Sequence, residues 1–218
     1  MAYASAVLDR RLVAFNQLPS HTLHPSRHER HAPPAAFAVI AAAPALAPAW
    51  HRHWSRDILE TLGLWQRPVI DATRPELALA LLAPDALARC ARQLGAVLCG
   101  PWLRRVIAGD DVRTLIGRFG ADLLDFTRRT AGGLHAGLAE TAAWSLDDTA
   151  AAVDTLGLGA LRAALSDGGP ELAQRAELKL PDLPAAPAPL PAAQALSLGL
   201  SLLKQTDPTW LSSFPAIR

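Results

Sequence analysis

The stretch Asp110–Phe126, DDVRTLIGRFGADLLDF, repeats its apolar side chains with a period near 3.6 residues. Side chains with that period share one face of an α-helix. Asp110 or Asp111 can cap the first turn. We therefore predict a core helix, with an apolar face made of Val112, Leu115, Ile116, Phe119, Leu123, Leu124 and Phe126.

Helices are also predicted on both sides of this one. Apolar residues at helical spacing mark residues 3–18, 50–62, 87–98 and 193–203. Ser145 with Asp148 three residues later resembles a capping box, and the helix that follows should run to Leu165. The sequence thus predicts a mainly α, irregular helical fold.

Two later segments depart from the helical pattern. Ala176–Leu180 alternates charged and apolar residues, so we expect at most a short minor β element there. Five prolines within residues 181–191 then predict an extended linker. We predict the following domain organisation: a principal helical domain over residues 1–180 with a His- and Pro-rich irregular segment at 20–48, the linker at 181–191, and a C-terminal helix and tail at 192–218 that pack on the principal domain.

Composition limits the classes of function. Half of the 218 residues are hydrophobic, which is enough for a sizeable core, and 21 basic against 20 acidic residues give a net charge of +1. A neutral chain offers no electrostatic reason to bind nucleic acid or an anionic membrane. Cys90 and Cys99 would lie on opposite faces of a helix, too far apart for a disulfide, which favours a reducing compartment. Asp9, Arg10 and Arg11 interrupt the N-terminal apolar stretch, so we expect a cytosolic protein without signal peptide or membrane insertion.

Histidines form the first candidate site, because six of the seven lie within residues 21–53. The spacing of His21, His24, His28 and His31 would align them on a continuous helix as metal ligands. Pro25 breaks that helix and no cysteine lies nearby, so we expect solvated histidines and no metal. A His-rich metal-binding protein and a peripheral membrane protein remain alternatives.

Catalytic motifs form the second candidate. The sequence has no GxSxG elbow, no phosphate-binding loop and no complete GxGxxG fingerprint. The acidic pairs Asp110-Asp111 and Asp147-Asp148 fall where helices are predicted to begin, so favourable interaction with the helix dipole explains them. We therefore predict a protein that is not an enzyme and needs no cofactor.

A surface with a tryptophan and several arginines is the third candidate. Arg104 and Arg105 follow a glycine-broken apolar turn, Arg113 lies about two turns further, and Trp102 borders them. Arginine and tryptophan contribute much of the binding energy at protein interfaces. We predict these four residues as the partner-binding site.

This central stretch, from Leu94-Gly95 to Arg104-Arg105, resembles the SctK (YscK-like) family of accessory proteins in bacterial type III secretion systems. The chain departs from the family pattern in its Ala- and Pro-rich stretch between Ala32 and Trp50, which suggests a separate branch such as the Hrp systems. Three other stretches are similar to segments of that family: Phe15–Ser20 leading to Leu23–Pro25, Glu177–Pro181, and Leu202–Gln205.

The resemblance implies a non-enzymatic adaptor of the cytosolic sorting platform. Such an adaptor links the cytoplasmic domain of the SctD-like inner-membrane ring protein to the SctQ-like pod protein. It would be cytoplasmic and recruited to the cytoplasmic face of the inner membrane.

Overall fold

The computed structural model describes residues 2–32, 34–138, 145–184 and 187–214, and all regular structure in that part of the chain is helical. This confirms the predicted mainly α fold. In chain order the α-helices are α1 (Ala2–Gln17), α2 (His28–His31), α3 (Pro34–Ala42), α4 (Ala47–Thr61), α5 (Leu77–Ala80), α6 (Pro84–Leu98), α7 (Gly100–Leu103), α8 (Gly109–Phe119), α9 (Ala121–Phe126), α10 (Gly132–Leu134), α11 (Leu146–Ser166), α12 (Pro170–Glu177), α13 (Ala192–Thr206) and α14 (Pro208–Leu211). A π-helical turn, Thr127–Ala131, joins α9 to α10.

The predicted core helix is divided at Gly120. That residue has φ +85° and ends α8, and α9 begins directly after it. The apolar face is nevertheless shared by both helices, since Leu115 of α8 and Leu123 and Leu124 of α9 are buried in the same apolar cluster. The capping prediction was also wrong: Ala108 precedes α8, and Asp110 and Asp111 lie in its first turn.

Residues Ala176–Leu180, where the sequence allowed at most a short β element, form no strand. Helix α12 runs to Glu177, and the following residues form a turn. Lys179 is as buried as its neighbours, and its Nζ donates hydrogen bonds to the carbonyl oxygens of Ala80 (2.6 Å) and Leu82 (3.0 Å). In a strand with one exposed face, polar residues would be exposed and apolar residues buried. Here Lys179 is buried like the apolar residues beside it, so the alternation in the sequence does not mark a strand.

The His- and Pro-rich segment contains more helix than expected. Its prolines stand in the first turns of short helical elements, including α3 and the 3₁₀ turns Pro25–Arg27 and Pro44–Leu46, where the missing N–H costs nothing. Buried Arg27 fixes the segment by donating to the Leu180 carbonyl (2.8 Å) and by pairing with Glu177 (2.6 Å).

The chain forms two compact units. The first comprises Met1–Leu87, Gly168–Pro184 and Thr209–Arg218, and the second comprises Ala88–Asp167 and Ala185–Pro208. A core cluster of the first unit joins distant parts of the chain; its members are Leu23, Ala32, Trp54, Ile58 and Leu178.

In the second unit α11 packs against α6 and α13. Gly95 and Gly157 allow the close approach of α6 and α11. A Cβ atom on Gly157 would stand 2.0 Å from the Ala91 carbonyl oxygen, and one on Gly95 would stand 1.8 Å from that of Val153. These glycines thus serve helix packing.

None of the helices in the described part of the chain has both the length and the apolar character that crossing a bilayer requires.

Candidate functional site

Helix α7 and the turn after it position the predicted partner-binding residues. Pro101 stands in the first turn of α7, and Leu103 and Val106 point into the core of the second unit. Helical geometry therefore directs Arg104 and Arg105 to the surface, where both are exposed. Trp102 is half-buried and packs against the same core.

Trp102 and Arg105 line a surface cleft of about 430 Å³. Ile107, which is 85% exposed, forms part of its rim. The lining combines apolar side chains with one guanidinium and one carboxylate; its members are Trp102, Arg105, Val106, Ile107, Ala108, Asp111 and Leu146. Such a cleft can bind an apolar side chain between polar groups.

Arg104 lies beside the cleft lining rather than in it. Its guanidinium group extends over the backbone of Gly100 and Gly132, so that a Cβ atom on Gly100 would stand 2.9 Å from Nη1. This contact places Arg104 along the turn that joins α9 to α10. Arg104 makes no ion pair with a carboxylate of the described residues.

Of the four predicted residues, Arg113 has the fewest contacts with the cleft and its surroundings. It forms an ion pair with Asp110, and their side chains are 75% and 90% exposed. A pair this exposed contributes little to stability. Arg113 does not line the cleft, so the structure brings Trp102 and Arg105 together and leaves Arg113 outside.

Arg128 belongs to the same surface and is not among the residues predicted from the sequence. Its Nη2 lies 3.4 Å from the carbonyl oxygen of Val106, in the cleft wall, and its side chain is exposed. The Arg128-Arg129 pair was visible in the sequence, but only the tertiary fold returns it to Val106, 22 residues earlier.

The histidines pack into the first unit more closely than expected. The His28 ring stacks on Phe37 with centroids 5.1 Å apart, and the rings of His21 and His51 lie 4.4 Å apart. Burial lowers the pKa of His51, and the neighbouring His21 lowers it further. Among the described residues, no three side chains of the metal-binding types come together to hold an ion.

Both cysteines are free thiols inside the second unit's helix α6 and at its C-terminal end. Burial raises the pKa of Cys90 and of Cys99 to about 12, which keeps them protonated and unreactive.

Comparison with known protein families gives a match over most of the chain. The family model described as YOP proteins translocation protein K (YscK) matches residues 15–214 of the chain. Neither the search of curated proteins nor that of solved structures found a match.

Proposed function

Since this chain belongs to the YscK family and is associated with type III secretion, we propose that it acts as a non-enzymatic adaptor of the cytosolic sorting platform. In this role it would link the cytoplasmic domain of an SctD-like inner-membrane ring protein to an SctQ-like pod protein. The family match over residues 15–214 carries the proposal. The helical fold supports it, because such a scaffold presents surfaces for other proteins.

The proposal gives the chain two protein partners and a place at the cytoplasmic face of the inner membrane. Its direct test is reconstitution of a complex from three purified proteins of one organism: this chain, the ring protein's cytoplasmic domain and the pod protein. We expect the two partners to co-elute in gel filtration only when this chain is present. Co-elution without it, or binding of neither partner, would refute the adaptor role.

We further propose that Trp102, Arg104, Arg105 and Arg113 belong to a partner-binding surface. Arginine can hold a carboxylate through two parallel hydrogen bonds, and such contacts at the centre of an interface are worth about 2 kcal/mol or more. The variant Arg104→Glu with Arg105→Glu should therefore stay folded and fail to join the secretion apparatus. Recruitment is measured by fluorescence microscopy of the tagged chain in secreting cells.

A matched control separates the loss of this surface from a general change in charge. Arg89 on α6 and Lys204 on α13 are exposed, and neither has an ion-pair partner among the described residues. Arg89→Glu with Lys204→Glu changes the net charge equally and should leave recruitment intact. Normal recruitment of the folded Arg104/Arg105 variant would exclude this surface as the interface.

A further inference from the structure

We propose that the cleft and the arginines beside it bind an acidic, amphipathic segment of a partner protein. One apolar side chain of that segment would enter the cleft, and its carboxylates would pair with Arg104 and Arg128. The inference rests on the proposed function and adds to it the chemistry of the partner segment and the role of Arg128.

The positive charges of Arg104 and Arg128 support an acidic partner. The Arg104 guanidinium lies over Gly132, four residues after Arg128, and the Arg128 guanidinium contacts Val106, two residues after Arg104. Both side chains are exposed, and neither forms an ion pair with a carboxylate in the described part of the chain. Neighbouring Arg113 and Arg129 differ, because Asp110 and Asp125 pair with them. Two arginines of one surface without a carboxylate partner among the described residues favour a ligand with two carboxylates.

Apolar groups next to these cations support an amphipathic partner. Ile107 is 85% exposed on the rim, and Trp102 and Leu146 line the cleft beneath it. Arg128 contacts the carbonyl of Val106 in the same wall, so charge and apolar surface are continuous. A partner residue such as leucine or phenylalanine would remove this apolar surface from water.

The concave shape favours a protein segment over a lipid bilayer. The carboxylate of Asp111 lines the cleft and would repel an acidic group there, so the carboxylates of the ligand must lie outside the cleft, at Arg104 and Arg128, while an apolar side chain enters it. A peptide can place its own polar groups around Asp111, whereas a flat bilayer cannot enter a cleft.

The inference is tested with overlapping synthetic peptides that cover the ring protein's cytoplasmic domain and the pod protein of the same organism. We expect the full chain to retain peptides that combine several Asp or Glu residues with Leu, Ile or Phe. Arg128→Glu should weaken the binding of such a peptide by about tenfold or more, since it replaces an attraction by a repulsion. Ile107→Ser should weaken it by about threefold or more, because the lost apolar contact is smaller.

Both variants change exposed side chains, so each should fold normally, and circular dichroism verifies this. Arg89→Glu with Lys204→Glu is the control and should bind the peptide as the unchanged protein does. Retention of mainly basic or neutral peptides would overturn the inference, and so would undiminished binding by both folded variants. Arg128-dependent binding to vesicles of phosphatidylglycerol and phosphatidylethanolamine, without peptide binding, would assign the surface to the membrane instead.

Failure of this inference is distinct from failure of the adaptor role. If the Arg128→Glu variant joins the two whole partners as well as the unchanged chain does, the adaptor role stands and the acidic-segment interface is refuted. A chain that binds neither whole partner loses both.

Discussion

Lys179 carries its amine into the interior of the first unit, where it is 5% exposed. Its Nζ donates to two carbonyl oxygens at the end of α5 and lies 5.0 Å from the centre of the Phe15 ring. Burial, with a smaller contribution from Arg11, lowers the pKa of Lys179 from 10.5 to about 7. The hydrogen bonds fix the position of the amine, and its burial disfavours the charged form.

This pKa makes stability depend on pH in a defined direction. Between pH 7 and 10.5 the unfolded chain keeps a proton on Lys179 that the folded chain releases, so Lys179 makes the free energy of unfolding rise with pH by at most about 1.4 kcal/mol per pH unit. Urea denaturation at pH 7, 8 and 9 measures that slope. Lys179→Met should flatten it, whereas Lys204→Met, at the other lysine of the sequence, should preserve it. The two buried thiols, whose pKa is raised to about 12, oppose the rise near pH 9, so the difference between the variants isolates the lysine. An equal slope in the Lys179→Met variant would contradict this account.

At the scale of elements, Gly120 decides that α8 and α9 are separate helices. Its φ of +85° and ψ of 154° lie in a region that residues with a Cβ atom rarely adopt. Nothing lies within 4 Å of the position that a Cβ atom would take, so the backbone conformation alone requires glycine. Gly117, one turn earlier in α8, also has open space around it and has an ordinary helical conformation.

These two glycines form a matched pair for mutation. Gly120→Ala should destabilise the protein by about 1–3 kcal/mol, because alanine is strained in this conformation. Gly117→Ala should stabilise it by about 0.5–1 kcal/mol, since alanine restricts the unfolded chain and favours helix. Thermal and urea denaturation of the two variants measure the difference. Similar stability changes of the same sign would show that the break at Gly120 is not strictly required.

At the scale of the whole molecule, the histidines should make the folded chain sensitive to mild acid. Burial is the main cause that lowers the pKa of His24, His31 and His51 below 6.5. As the pH falls below 6.5, the unfolded chain takes up protons first, and the free energy of unfolding falls until the folded-state pKa values are passed. This loss of stability in acid is separate from the loss that Lys179 causes as the pH falls toward 7.

Denaturation series between pH 7 and 5 test this expectation. His51→Gln retains a hydrogen-bonding side chain next to Ser20 and should reduce the loss of stability in acid. His53→Gln, at an exposed position on the same helix, is the control and should lose stability as the unchanged chain does. A free energy of unfolding that stays constant over this range, or that falls equally in the His51→Gln variant, would contradict this expectation.

Local sequence determined most of the helices and several of their ends. The capping box of Ser145 and Asp148 begins α11 as predicted, and α11 ends at Ser166, one residue beyond the expected end. Such features depend on residues within about one helical turn of each other, so periodicity and capping chemistry are sufficient to find them. Sequence reasoning also grouped Trp102 with Arg105, which line one cleft, because both follow the same glycine-broken turn.

Only the tertiary structure decided which distant residues meet. The sequence pattern places Lys179 on the polar side of a strand. In the structure its amine donates to two carbonyl oxygens at the end of α5, about a hundred residues earlier. The cleft likewise needs Leu146 beside Val106, and its positive edge needs Arg128. Contacts of this kind depend on how helices pack, and the same periodic sequence is compatible with many packings.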